Sequence, residues 1–405
     1  MLKKTNYQGK NSEIIQQQNR LLVLRLIREK KVVSRVGLSE LTGLKQATIT
    51  NIINELMERE YVEETGLIEG ANGRRVKGIA LNSEKVRVLV SRITSDYYAV
   101  GIYDLQGTCI KVAKKFWEQG EGFLRKLEFI RDDLREYMSL YGENKQVIGT
   151  GIAIEGSVTS MDPEFKEWQD RDMETYLSQY FSEELGMAVF VENMSNMSAF
   201  FEWNRQISNG VELQTLVCLS IGYAVDCTVV FDGRFLKGRN GKAGHFGHVS
   251  IDMNGPLCEC GNRGCIRNYI SVGALKKRYA ELLKSDAPEK AEQDWNIRDI
   301  VQAYYDQEKT AVMLYEEVAE KLGVIFANLI NQFHPEELIF GDEIPNNDTF
   351  LELVKSYTKK RLPKHRYERT NLMVFREKRK TENDVGMRGM CLFVINEKLK
   401  DMKLN

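Results

Sequence analysis

The chain has 405 residues, 42% hydrophobic and 28% charged, with a net charge of −1 at pH 7. That length provides two or three domains with proper cores, and the composition excludes a disordered or fibrous chain. No uncharged apolar run approaches the roughly 18 residues of a membrane span. No apolar stretch follows the N-terminal lysines as in a secretory signal, and the seven cysteines are odd in number and clustered, so a reducing cytoplasm is expected.

The charge is unevenly spread. Residues 1–82 carry 14 Lys and Arg against 9 Asp and Glu, and the remainder carries 43 against 49. A basic head on an acidic body suits a head that meets a polyanion. In chain order, residues 12–30 place Ile15, Leu22 and Leu26 at helical spacing. Ser34 is placed to cap a second helix, "RVGLSELTG", which stops near Gly43. A third helix follows in "LKQATITNIINELMERE". There Ile49, Ile52, Ile53 and Leu56 form one apolar stripe, and Lys45, Gln46, Thr48, Thr50 and Asn51 are polar.

Two short helices joined by a glycine turn, the second small and polar at its start, make the helix-turn-helix pattern. Small side chains, Ala47 among them, let that helix approach a major groove, where Gln, Asn and Lys reach base edges or phosphates. Arg35, at the start of the supporting helix, joins the candidate DNA surface. The next stretch, "YVEETGLIEGANGRRVKGIALN", reads as two strands around a loop carrying Arg74 and Arg75. That is a wing with a basic tip, suited to phosphates or a minor groove.

From residue 83 onward strands alternate with helices. "VRVLVSRI" and "YYAVGIYDLQG" read as a hairpin, and "VIGTGIAI" and "MAVFVEN" as buried strands. "TLVCLSIGYAVDCTVVFDGRFLKG" gives two more strands and a turn. "AVMLYEEVAEKLGVIFANLINQF" is a long helix, followed by the strand "ELIFG". An α/β body of two lobes around a cleft is expected, with no internal sequence repeat.

Residues 244–265, "GHFGHVSIDMNGPLCECGNRGC", gather Cys258, Cys260 and Cys265 on a loop, with His248 upstream. Gly261 and Gly264 allow the chain to fold back around a single point. Three Cys and one His form a closed tetrahedral zinc set, structural rather than catalytic because no position is left for water. The alternatives are three buried free cysteines or a redox site, although a redox pair would normally be Cys-x-x-Cys.

That loop, together with "SRVGLSELTGLKQATITNIINELMEREYVEE" and "GRR", resembles the ROK family of repressors, open reading frames and sugar kinases. The xylose-repressor-like regulators are the most similar branch. The resemblance implies an N-terminal winged helix-turn-helix over residues 1–82, followed by a two-lobed actin/hexokinase-like body. Lobe I would span 83–195, completed by a C-terminal helix at about 383–405. Lobe II would span 196–382 and carry the zinc loop and an oligomerisation surface. It further implies a sugar-sized cleft and a homodimer or homotetramer.

The departures from the family pattern are informative. Kinases of the family carry an Asp-x-Gly-Gly-Thr turn where this chain has "LVSRITSDYY". Their Gly-x-Gly-x-Gly turn is replaced by "SIGYAVD", which keeps only Gly222. Their catalytic Asp is replaced by Met194 in "VENM", and a thioether cannot accept a sugar hydroxyl's proton. With both phosphate turns and the base missing, no enzyme activity is expected. Among the sugar contacts implied by the resemblance, Gly156, Asn193 and His248 remain, while two glutamates become His245 and Arg267. Donors in place of acceptors suggest an anionic sugar derivative as effector. If Glu155 neutralises Arg267, a neutral sugar is the alternative.

The expected function is a cytoplasmic DNA-binding transcriptional regulator, a repressor of carbohydrate-utilisation genes on a pseudo-palindromic operator. A sugar or sugar-derivative effector would release it by closing the lobes and shifting the heads. A sugar kinase with a regulatory appendage, and a regulator governed by a protein partner, are the competing readings.

Overall fold

The computed structural model describes residues 12–69, 74–94, 96–118, 120–155, 173–238, 243–375 and 384–401. It divides into two compact units. One comprises the described residues of Met1–Ile154, Asp162–Glu192 and Thr381–Asn405, and the other those of Glu155–Met161 and Asn193–Lys380. No helix among the described residues is long and apolar enough to cross a membrane.

The first unit begins with helix α1 (Ser12–Lys30), strand β1 (Val32–Ser34) and helices α2 (Arg35–Thr42) and α3 (Gln46–Glu58). Val23, Leu24 and Ile27 of α1 pack inside with Leu38 of α2 and Ile49, Ile52, Ile53 and Leu56 of α3. The α3 stripe read from the sequence is thus the buried face, whereas in α1 Ile15 is exposed and Leu22 and Leu26 are half-buried, the buried face lying one residue on at Val23, Leu24 and Ile27. Ser34 Oγ accepts from the Gly37 amide and caps α2. Gly43 ends it in the left-handed region at φ 70°, its N–H bonded to Ser39 O, a conformation that costs glycine least. Arg20, fully enclosed, bonds Glu55 at 2.6 Å and ties α1 to α3. Strands β2 (Val62–Glu69) and β3 (Arg75–Leu81) form the wing, with β1 completing a sheet of order β1-β3-β2.

The head is seated directly on the rest of the first unit. Gln17 Nε2 donates to Lys400 O at 2.9 Å, and Arg28 Nε donates to Leu105 O at 3.2 Å. Burial depresses the Arg28 pKa. A five-stranded sheet forms the unit's centre, built from β4 (Val86–Ile93), β5 (Tyr97–Tyr103), β6 (Cys109–Phe116), β7 (Gln146–Ile154) and β8 (Val189–Asn193). Its order is β6-β5-β4-β7-β8, with β4 antiparallel to β5 and parallel to β7. Helices α4 (Phe123–Gly142) and α5 (Met173–Leu185) belong to the same unit.

The second unit opens with α6 (Met194–Ser208) and the strands β9 (Thr215–Ile221), β10 (Val225–Phe231) and β11 (Arg234–Phe235). A short helix α7 (Arg267–Ile270) follows the cysteine loop. Then come α8 (Val272–Asp286), α9 (Ile297–Tyr305), the 25-residue α10 (Lys309–Phe333), β12 (Glu337–Asp342), α11 (Asp348–Lys359) and β13 (Asn371–Val374). The sheet order is β11-β10-β9-β12-β13, with β9 antiparallel to β10 and parallel to β12. Leu314, Val318, Leu322, Phe326 and Ile330 of α10 are buried in its core.

The closing helix α12 (Val385–Lys400) returns to the first unit. Asp384 caps it through the Met387 amide at 2.9 Å and forms a buried ion pair with Arg92 at the end of β4. Both five-stranded sheets place their strands, counted along their own segment, in the order third, second, first, fourth, fifth. The chain shows no sequence repeat, yet its topology is duplicated.

Candidate nucleic-acid interface, metal centre and ligand site

The outward face of α3 presents Gln46, Ala47, Thr50 and Asn51, all exposed, with Lys45 exposed at its N-cap and Thr48 half-buried. Thr50 Oγ1 bonds back to Gln46 O at 2.9 Å. The side chains of Lys45, Gln46 and Asn51 make no hydrogen bond or ion pair among the described residues, so nothing there employs them. Asn54, one turn beyond Thr50, extends the exposed face and was missed in the sequence because it sits inside the apolar-periodic stretch. Arg74 and Arg75 stand exposed at the start of β3, while residues 70–73 of the wing tip lie outside the described residues. Arg35 differs from the other candidates. Its guanidinium bonds Glu64 at 2.9 Å, and Glu64 also binds Lys77. These two cations hold the Glu64 carboxyl below its ordinary range, the Lys77 bond most of all. Arg35 therefore fastens α2 to the wing.

In the cysteine loop, the four donor atoms of His248, Cys258, Cys260 and Cys265 lie within 4.8 Å of one another. The loop closes through Cys258 N–H to Asn262 O at 2.7 Å and Gly261 N–H to Cys258 O at 2.9 Å. Gly264 adopts φ 65°, and a Cβ there would sit 1.7 Å from Asp252 O, so only glycine lets the chain fold back at this point. Cys260 Sγ lies 3.7 Å from Cys265 Sγ, and Cys258 Sγ lies 3.6 Å from His248 Nδ1. A tetrahedral ion with bonds of about 2.3 Å to sulfur and about 2.0–2.1 Å to nitrogen separates its ligands by about 3.8 Å and about 3.6 Å. The donor set fits one such ion. None of the seven cysteines is joined in a disulfide. Burial lowers the His248 pKa, which favours the neutral, ligating imidazole.

The ligand candidates fall in two groups. Gly156 lies outside the described residues. Asn193 caps α6, its Oδ1 accepting from the Ser195 amide at 2.7 Å. His245, His248 and Arg267 gather beside the cysteine loop, but their electrostatics differ from the sequence expectation. Arg267 pairs with Glu259, a loop residue between two cysteines, rather than with Glu155. Asp226 at the start of β10 lies 4.0 Å from His245 Nδ1, and its side chain is only 16% exposed. Burial, with Glu155 adding repulsion, pushes the Asp226 carboxyl up to about 6, against the opposing pull of His245 and Arg267. The site is therefore mixed in sign. An excess of donors, the basis for an anionic effector, is not what the side chains form. Glu259 gave no signal in the sequence, because pairing across a folded loop follows no period.

The two turns that hold phosphate in kinases are used internally here. Thr94 Oγ1 accepts from the amides of Asp96 and Tyr97 at 3.3 and 3.0 Å, and Trp117 Nε1 donates to Thr94 O at 2.9 Å. The Gly222 amide donates to Ala224 O at 2.9 Å. Met194, at the position of the kinase base, is buried.

The model of the ROK family matches residues 108–397. The xylose repressor of Caldicellulosiruptor bescii is 27% identical over 369 residues, covering 87% of this chain and 90% of that protein. A crystal structure of a ROK family transcriptional regulator, a homologue of the Escherichia coli Mlc protein, superposes with a TM-score of 0.77 at 24% identity. It covers 95% of this chain and 98% of its own. The ROK hexokinase of Thermus thermophilus superposes with a TM-score of 0.57 at 20% identity, covering 76% of this chain and 97% of its own. These likenesses place the α/β body in the ROK/hexokinase-like fold.

Proposed function

The chain belongs to the ROK family, and from that premise we propose that it is a cytoplasmic winged-helix repressor of carbohydrate-utilisation genes. The observation that carries the reading is the outer face of α3. Lys45, Gln46 and Asn51 are exposed polar side chains with no partner among the described residues, on a helix whose other face is fully packed. A surface so arranged suits base edges and phosphates. Exposed Arg74 and Arg75 extend it along the wing. The repressor names of the relatives support the same reading.

The operator is a pseudo-palindrome bound by a homodimer or homotetramer, because two heads require two half-sites. A sugar or sugar derivative bound beside His245, His248 and Arg267 releases it. The ion held by His248, Cys258, Cys260 and Cys265 is zinc, and it orders the loop that carries Glu259 rather than taking part in chemistry. Kinase activity is lost. The amides at Thr94 and Gly222 already have partners, so neither turn is free to cradle a phosphate.

The test is selection of an operator from random duplexes, followed by titration at several salt concentrations. Arg74→Ala should weaken every duplex alike and lower the salt slope by about one. Gln46→Ala should relax preference at one position by about 1–3 kcal/mol. Uniform weakening by both variants would remove α3 as the reading helix.

A further inference from the structure

The second unit is acidic except along one short stretch. Residues 193–354 carry 15 Lys and Arg against 23 Asp and Glu, whereas residues 355–369, "KSYTKKRLPKHRYER", carry seven against one. The stretch runs from the last turns of α11, through a four-residue helix at Lys364–Tyr367, to the residues before β13. Its backbone is fixed. Leu362 is buried in the unit's core, and Arg366 donates to Asn331 of α10 at 2.7 Å. Every cationic side chain of the stretch except Lys355 is exposed, and so is His365.

These charges are only partly balanced. Arg361 stands 3.5 Å from Glu320, and Lys364 stands 3.7 Å from Glu368. Lys360 lies over the Tyr357 ring at 4.7 Å. The side chains of Lys359, His365 and Arg369 make no hydrogen bond or ion pair among the described residues. The dipole of α11 accounts for a cation in its last turn, but its influence ends there, well short of Arg369. Like charges gathered on one face repel. A polyanion laid across them relieves that repulsion and releases its own counterions.

The composition of the patch narrows the partner. No large apolar side chain is exposed among the described residues from 314 to 375. The surface therefore lacks the aromatic or aliphatic anchor of a protein interface and the apolar side chains that enter a bilayer. It presents Lys and Arg donors alone, the pattern that neutralises a phosphate backbone.

We propose that residues 355–369 form a second DNA site, which holds the phosphate backbone of a duplex without regard to sequence. The head selects the operator, and this patch adds affinity for whatever duplex lies against it.

The experiment uses full-length protein with the head disabled by Lys45→Ala, Gln46→Ala, Asn51→Ala, Arg74→Ala and Arg75→Ala. A labelled duplex of arbitrary sequence is titrated at several salt concentrations. This protein should still bind it, with log affinity falling against log salt at a slope of about −3 or steeper. Adding Lys359→Gln, Lys360→Gln and Arg369→Gln should flatten the slope by about three and weaken binding in low salt by about tenfold or more. The charge-retaining set Lys359→Arg, Lys360→Arg and Arg369→Lys should bind as the head-disabled protein does. Failure of the head-disabled protein to bind the duplex would overturn the proposal, as would equal slopes for the neutralised and charge-retaining sets. So would a neutralised set that leaves the DNA slope alone and instead loses binding to phosphatidylglycerol vesicles or changes the oligomer's mass. Those two outcomes would assign the patch to a membrane surface or to a second copy of the chain. Failure of the head reading shows separately, because the head-disabled protein would then still prefer the selected operator over other duplexes.

Discussion

The first hairpin of each five-stranded sheet sits at the same place in the same strand order, and the two turns are finished in opposite ways. Between β4 and β5, Thr94 gathers the Asp96 and Tyr97 amides onto its own hydroxyl, and Trp117 covers its carbonyl. The strand before it is anchored by the buried Arg92–Asp384 pair. Between β9 and β10, the Gly222 amide is satisfied locally, yet two residues after Ala224 stands a largely enclosed carboxylate with no donor among the described residues. The same strand order thus carries two different turn chemistries, one gathered on a threonine hydroxyl and the other closed by a backbone pair with an aspartate just beyond it.

The largest expected effect tests whether the second unit depends on its loop in a way the first does not. Cys260 is exposed, so Cys260→Ser removes a ligand with little loss of packing. It should release the metal and raise amide exchange through residues 244–270 by orders of magnitude. Exchange in β4–β8 should stay unchanged. Wild-type protein purified without chelator should hold about one zinc per chain by elemental analysis, and its absence would refute the assignment.

A middle-sized effect concerns the closed turn. Thr94→Ala strips the acceptor from two amides and should cost about 1–3 kcal/mol of stability. Sugar binding should be untouched. A changed sugar response would mean that the first turn retains a functional part.

The smallest effect is a pH dependence. The Asp226 carboxyl is raised to about 6 in the folded protein from an ordinary value of 3.8. Folding therefore favours its protonated form. The penalty of its charge is fully present above about pH 6 and vanishes as pH falls below the ordinary value. The stability advantage of Asp226→Asn over wild type should be greatest at about pH 7–8 and shrink progressively towards about pH 4. A difference that grows on acidification would contradict the raised carboxyl.

Much of the head was legible in the residues themselves. The Ile49, Ile52, Ile53 and Leu56 stripe, the Ser34 cap and the Gly43 stop are local signals with periods or fixed offsets, and all three are present. The cysteine loop was legible because its donors are close in sequence. What escaped was whatever depends on pairing across space. The three-residue β1 is too short to show alternation, and only its partner β3 makes it a strand. Arg267 chose Glu259 over Glu155 because the folded loop brings that carboxylate to it. The duplicated strand order left no trace at all, since a sheet's connectivity constrains burial patterns and not residue identities.

The contact between α1 and α12 joins residues 383 positions apart along the chain. The DNA-facing head is thus not hung on a slack tether. Arg28 and Gln17 bond it to the same compact unit that holds α12. The sixteen-residue α12 is in this sense the seat of the head, although most of the chain lies between the two in sequence.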